Sequence, residues 1–235
     1  MRQKALFHTI LATDVAKSGS RNDNLLLRMR ADLRRILGDT LSEQGIDLAS
    51  RTVLDDGDGF RVLLPAGIPP HALLDPFLSG LGIELRQHRE ASSTTNRLRL
   101  RVGLHIGLLH AEQGGSYTGQ PLVDLARLLD APAGRALLDD NPGADLVVLL
   151  TDVFYQEVVA GGMSLDPAWF GRIPVQVKET DRLAWAYLPG IPPVAPASPA
   201  AKPSPPAPPG GGESTTNVVG LQNNIGMIIG RDRHG

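Results

Sequence analysis

Two aspartates carry the chemistry this chain could do. Asp58 lies in Asp55-Asp56-Gly57-Asp58-Gly59-Phe60, an acidic, glycine-punctuated stretch between the apolar segments 53–54 and 60–64, and Asp14 closes the mostly apolar run 5–13. Apolar runs on either side of an Asp-Gly turn predict a β-hairpin with carboxylates at its tip. Asp and Gly are also what any tight turn needs for its positive φ angles, so the hairpin alone fits a turn without chemistry as well as a metal site. A calcium loop of EF-hand type is excluded, because Phe60 breaks the alternation of carboxylates that such a loop needs.

The elements that must position these carboxylates follow from periodicity. Residues 5–13 are too short for a stable helix and read as a buried strand that leaves Asp14 at its end. Asn22 or Asp23 can cap a helix whose apolar residues recur at 26, 29, 33, 36/37 and 41, closed by Gly45. Arg28, Arg30, Arg34 and Arg35 are expected on its solvated face. A strand over 46–54, the hairpin, a strand over 60–64, a helix over 71–90 and a half-exposed strand over 97–108 follow. The resulting β-α-β-β-α-β order predicts an α/β (α+β) fold of ferredoxin-like arrangement, with both helices on one face of an antiparallel sheet. In that fold the strands bearing Asp14 and the hairpin are neighbours, so both carboxylates fall at one edge of the sheet. Such a pair suits Mg²⁺ or Mn²⁺ held against phosphates. Beyond it come a loop over 114–119, a helix over 120–129 with a further turn through Asp139, a strand over 146–150, a short helix over 154–160 and a closing pair of strands over 175–188.

Composition narrows the classes. At 235 residues and 42% hydrophobic content the chain can bury a substantial core, and a net charge of -2 gives no reason to expect a nucleic-acid partner. The absence of cysteine excludes disulfides, thiolate metal sites and thiol nucleophiles. No run approaches the roughly 20 apolar residues of a membrane span, and His8, Thr9 and Asp14 interrupt what could pass for a signal sequence. A soluble, cytoplasmic protein is expected. No Ser/His/Asp grouping is evident, and His105, alone between glycines, is expected to be packed and hydrogen-bonded.

Four stretches, in order, resemble the successive motifs of the class III nucleotidyl cyclases over about residues 5–188: Ala12-Thr13-Asp14-Val15, Asp56-Gly57-Asp58-Gly59-Phe60, Leu100-Arg101-Val102-Gly103-Leu104-His105-Ile106-Gly107, and Gly119 through Arg127-Leu128-Leu129. The Gly-Gly-Asp/Glu-Glu-Phe signature of diguanylate cyclases is missing. The resemblance implies a signalling domain that forms a homodimer, with sites built across the dimer interface. It implies Mg²⁺ or Mn²⁺ on Asp14 and Asp58, Arg127 stabilising transferring phosphates, and a nucleoside triphosphate converted to a 3′,5′-cyclic nucleotide. The base-reading lysine of adenylyl cyclases is Leu54 here, the base-selecting position is Ser116, and the ribose-orienting asparagine falls on Val123. Asp124 could replace that asparagine only by a shift of register that moves Arg127 off its own position. Lys178 lies near a phosphate-binding lysine of the family but matches loosely and reads as a surface lysine. Losing the group that orients the ribose misplaces the attacking hydroxyl and costs orders of magnitude in rate. The expectation is a cyclase-homologous module that binds nucleotide and metal and is weak or inactive as a cyclase, the alternative being an active one.

The three-part organisation is completed by composition: 1–188 globular, 189–213 a Pro/Ala/Gly-rich linker, 214–235 a separate terminal segment. That segment has no charge from Thr215 to Gly230, and it combines Val218, Val219, Leu221, Ile225, Ile228 and Ile229 with the amides Gln222, Asn223 and Asn224, the composition of steric zippers. It resembles bacterial amyloid signalling motifs related in character to the RIP homotypic interaction motif. The resemblance implies an effector protein with a matching segment; a disordered terminus is the other reading.

Overall fold

The computed structural model describes residues 5–191, apart from Arg21, Gln113, Gly114 and Met163. The apolar run at the start forms β1 (Ala5–Val15). Asn22 then caps α1 (Asp23–Glu43), its Oδ1 accepting from the Leu25 N–H at 3.0 Å and satisfying one of the first-turn donors. Met29, Leu33, Ile36, Leu37 and Leu41, three and four apart, form the buried stripe of this helix. β2 (Thr52–Asp55) and β3 (Phe60–Pro65) make the hairpin, and α2 (Phe77–Ala91) and β4 (Leu100–Ala111) complete the unit. The strands lie in the order β2-β3-β1-β4 with every neighbour antiparallel. Both helices pack on one face, around Leu11, Phe60, Val62 and Leu104. This is the ferredoxin-like arrangement the sequence predicts.

The sheet continues past β4. β5 (Tyr117–Thr118) pairs with its end, and β6 (Leu146–Thr151) runs parallel beside it. β8 (Thr180–Tyr187) and β7 (Gly171–Val177) follow antiparallel at the far side. α3 (Gln120–Asp130) and α4 (Pro132–Asp140) cover the opposite face, around Ile10, Ala12, Leu125, Val147 and Ala186. Alternate residues of β1 and β6 therefore feed two separate cores, as period-two alternation requires when both faces are covered.

The differences from expectation have local causes. β2 begins at Thr52 instead of 46, because the Asp47 side chain accepts from Ala49 N–H at 3.0 Å and holds a short 3₁₀ turn, Leu48–Ser50. The helix expected from 71 starts at Phe77, after a 3₁₀ turn at Pro70–Leu73 and Pro76. The short helix expected at 154–160 begins at Asp152 and widens into a π turn, Tyr155–Val159, with Ala160 N–H donating to the Tyr155 carbonyl. β4 is not half-exposed. Arg97 and Arg99 precede it, bound to Asp145 and to the Ala144 carbonyl, and Arg101 within it is buried, because α3 covers the face that the arginine alternation marks as solvent.

Candidate functional site

Local packing fixes the hairpin against β1. Phe60 N–H donates to Thr13 Oγ1 at 3.0 Å, and the Thr13 hydroxyl donates to the Phe60 carbonyl at 3.3 Å. A Cβ on Gly59 would stand 1.8 Å from the Thr13 carbonyl oxygen, so only glycine lets the hairpin close here, and Gly57 supplies the turn with φ +82°. This closure places Asp58 and Asp14 on the wall of one cavity of about 330 Å³, together with Lys17, Arg101, Arg135 and Asp139. The Ser18 hydroxyl donates to Asp58 Oδ2 at 2.5 Å. Arg101 is the cross-strand partner of Asp14 and ion-pairs with its Oδ2. Arg101 Nε, also buried, makes no hydrogen bond among the described residues. Burial pushes the Arg101 pKa down, though a guanidinium stays charged at neutral pH.

Two carboxylates on one wall are the oxygen donors that a hard divalent cation takes, and such a cation would replace the Arg101 guanidinium on Asp14 Oδ2. Among the described residues no three His, Asp or Glu side chains converge, so the remaining positions would fall to backbone, water and ligand oxygens. Arg101, Arg135 and Lys17 on the same wall pair with Asp14, Asp130 and Asp139, and a phosphate would compete with those carboxylates for them.

The rest of the hairpin is braced from α1. Arg30 pairs with Asp55 and with the Gly57 carbonyl, and the guanidinium groups of Arg30 and Arg34 each lie 5.7 Å from the Phe60 ring centroid. Arg61 pairs with Asp56 at 2.5 Å. The Gly57 N–H, donating at 2.9 Å, holds the Asp55 carboxyl below the usual carboxylate range, while burial pushes Asp56 above it. Arg30 and Arg34 thus do more than solvate α1. Their spacing of four, opposite an acidic hairpin, is the signal that could have found this.

The other residues singled out from sequence lie elsewhere. Arg127, on α3, donates to Thr180 Oγ1 at 2.7 Å and Glu179 Oε2 at 3.3 Å in the β7–β8 hairpin, whose tip is Lys178, and it does not line the Asp14/Asp58 cavity. Leu54 is half-buried against the second core, and the Ser116 hydroxyl donates to Glu112 at 3.1 Å. Val123 is 42% exposed on α3, whereas its neighbour Asp124 turns inward to accept from Arg182 at 3.0 Å. One chain therefore does not gather these residues with the two aspartates. His105 is packed as expected, 6% exposed with Nδ1 2.6 Å from Thr151 Oγ1, and burial holds its pKa at about 4.

No family model matches the chain, and no curated protein matches it. Solved structures do. An adenylate/guanylate cyclase/hydrolase from Silicibacter pomeroyi is similar over 80% of this chain and 99% of its own, with TM-score 0.57 and 18% identity. The catalytic core of a rhodopsin-guanylyl cyclase with converted specificity, in complex with ATPalphaS, matches over 80% and 99% with TM-score 0.52 and 15% identity. The non-canonical dimeric guanylyl cyclase domain of the RhoGC fusion protein from the aquatic fungus Blastocladiella emersonii matches over 78% and 97% with TM-score 0.51 and 12% identity. Their common architecture assigns this chain the fold of the adenylyl and guanylyl cyclase domains.

Proposed function

We propose that this protein is a cyclase-homologous signalling module that binds a nucleoside triphosphate with Mg²⁺ or Mn²⁺, turns it over weakly or not at all, and reports through its C-terminal segment. The observation that carries this reading is the convergence of Asp14, Asp58 and Arg101 on one cavity. Asp14 and Asp58 would hold the metal, which when bound neutralises phosphate charge and polarises phosphate oxygens. Arg101, Lys17 and Arg135 supply the cationic wall for a polyphosphate. The rhodopsin-guanylyl cyclase core that shares this fold carries a nucleotide analogue, which supports the same ligand class.

Weak turnover follows from side-chain chemistry. The side chains of Leu54 and Val123 have no atom that can hydrogen-bond a base or orient a ribose hydroxyl. Because Arg127 does not line the cavity that Asp14 and Asp58 share, a complete site would draw its halves from two copies, and a homodimer is part of the proposal. The RhoGC domain of the same fold is a non-canonical dimer, which supports self-association and not a particular interface. One observation favours the second reading, an active cyclase: Lys178 stands beside Glu179, the partner of Arg127, so two cations that could meet phosphates share one hairpin region.

Binding of a fluorescent nucleoside triphosphate to the full-length protein with Mn²⁺ tests the ligand class. Wild type should bind, and Asp14→Asn and Asp58→Asn should each weaken binding by about tenfold, the loss of roughly one charged metal contact. Binding unchanged in both variants would remove the two aspartates from the site.

A further inference from the structure

The sheet has a gap beyond the end of β6. That strand pairs with β4 as far as Leu150 opposite Leu104 and with β8 at Thr151 opposite Ala184, and there it stops. β4 runs on to Ala111, and β8 begins as early as Thr180. Among the described residues no strand fills the space between these continuations until β5 joins β4 at His110. A cavity of about 500 Å³ opens here, with His105 on one bank, Leu183 and Ala184 on the other, and Leu128 of α3 across it. It shares no lining residue with the cavity of Asp14 and Asp58. Its volume suits a small organic molecule.

Two opposite charges stand on this wall without pairing. Asp152, where the chain leaves β6, accepts at Oδ1 from Trp185 Nε1 at 2.9 Å and from Gln156 Nε2 at 3.3 Å, so its other oxygen carries no hydrogen bond among the described residues. The guanidinium of Arg172, on β7, lies 4.8 Å from the centroid of the same Trp185 ring. Tyr155 stacks on that ring with centroids 3.6 Å apart and planes 8° from parallel, which leaves Arg172 the opposite face. Trp185 is 9% exposed and cannot swing away, so it is a fixed spacer with a carboxylate at its edge and a guanidinium on its face. Neither charge has an ion-pair partner among the described residues. Arg182 and Asp124, on the same wall, do pair, at 3.0 Å.

An ion of one sign would answer one of the two separated charges and leave the other unmatched. A molecule that carries an anion and a cation a few atoms apart answers both. Its carboxylate would take paired N–H donors from Arg172, and its ammonium would donate to the open oxygen of Asp152. The rest of such a molecule would lie against Leu128, Val175 and Ala184, which asks for an apolar side chain. Burial keeps the His105 ring neutral at pH 7, so the opposite bank adds no third unpaired charge.

We propose that this cavity binds an apolar α-amino acid as its zwitterion, with the carboxylate on Arg172 and the ammonium on Asp152. The site is independent of the nucleotide reading.

Phenylalanine, hydrocinnamate and phenethylamine test the proposal, since they share a phenyl ring on a two-carbon chain and carry both charges, the carboxylate alone or the ammonium alone. In calorimetric titrations of the full-length protein, phenylalanine should bind with a sub-millimolar Kd and each of the other two at least about tenfold more weakly, the loss of one charge-assisted contact. Asp152→Asn, which keeps an acceptor for Trp185 Nε1, should weaken phenylalanine by about tenfold and leave hydrocinnamate unchanged. Arg172→Gln should weaken phenylalanine by the same factor and leave phenethylamine unchanged. No phenylalanine binding by wild type at millimolar concentration, equal affinity for the three compounds, or full phenylalanine binding by either variant would each overturn it.

Discussion

His105 couples the stability of the domain to pH. Burial holds its pKa at about 4 against an ordinary 6.5, so between these values the unfolded chain binds a proton that the folded one refuses. Stability therefore rises with pH through that window and is lost as pH falls from 6.5 toward 4. From this residue alone the domain should be about 2 kcal/mol less stable at pH 5 than at pH 7. His105→Asn should flatten that dependence, as read from urea midpoints at the two pH values; a slope unchanged in the variant would place the proton elsewhere. Legibility at this scale divides by surroundings. Asp14 and Asp58 stood out because a carboxylate at a strand end and another in a glycine turn are visible in one dimension. The buried partner of Asp14 was not, because Arg101 is separated from it by 87 residues and becomes its neighbour only through β1–β4 pairing. Arg30 and Arg34 were hidden for the same reason, since their partners Asp55 and Phe60 lie on another element.

At the scale of elements, the hairpin depends on one contact between backbones. Gly59→Ala would drive a methyl group into the Thr13 carbonyl, and with backbone on both sides neither can yield cheaply. The cost should be at least about 2 kcal/mol, with Asp58 displaced and nucleotide binding lost. Gly67→Ala, with open space around its Cβ, should stay within about 0.5 kcal/mol by the same urea titration. Comparable destabilisation of the two variants would show that the hairpin does not rest on this approach. The βαββαβ order was legible because α1 carries a clear helical period and the strands are short apolar runs bounded by turn residues. β4 was misread for a physical reason: its Arg/Leu alternation reports side-chain chemistry, while burial of both faces is decided by α3, which arrives twenty residues later. Breaks at Pro76 and Asp47 depend on a helix start and a side-chain cap, features that displace boundaries without altering the apolar pattern.

Over the whole molecule, the proposal joins a cyclase-like domain to a linker over 189–213 and a segment over 214–235, which from residue 192 on lie outside the described residues. In the proposed assembly, stacked copies of this short stretch would pair every backbone group and would bury Val218, Leu221, Ile225, Ile228 and Ile229 together. A peptide of residues 213–235 should form thioflavin-binding fibrils with a repeat of about 4.7 Å, and Ile228→Asp should suppress them by repeating a like charge in every layer. A peptide that stays monomeric at high micromolar concentration, even when seeded by a matching partner segment, would leave only the globular domain to carry function. Among the described residues no helix is long and apolar enough to cross a membrane.

The central claim is a triphosphate site that binds more than it converts. Incubating the purified full-length protein with each of the four nucleoside triphosphates and Mn²⁺, while measuring bound nucleotide and cyclic product in the same sample, tests it most directly. The account predicts bound nucleotide with little or no cyclic product, because Leu54 and Val123 cannot orient base and ribose for in-line attack. Robust accumulation of a 3′,5′-cyclic nucleotide, or no bound nucleotide at all, would contradict it.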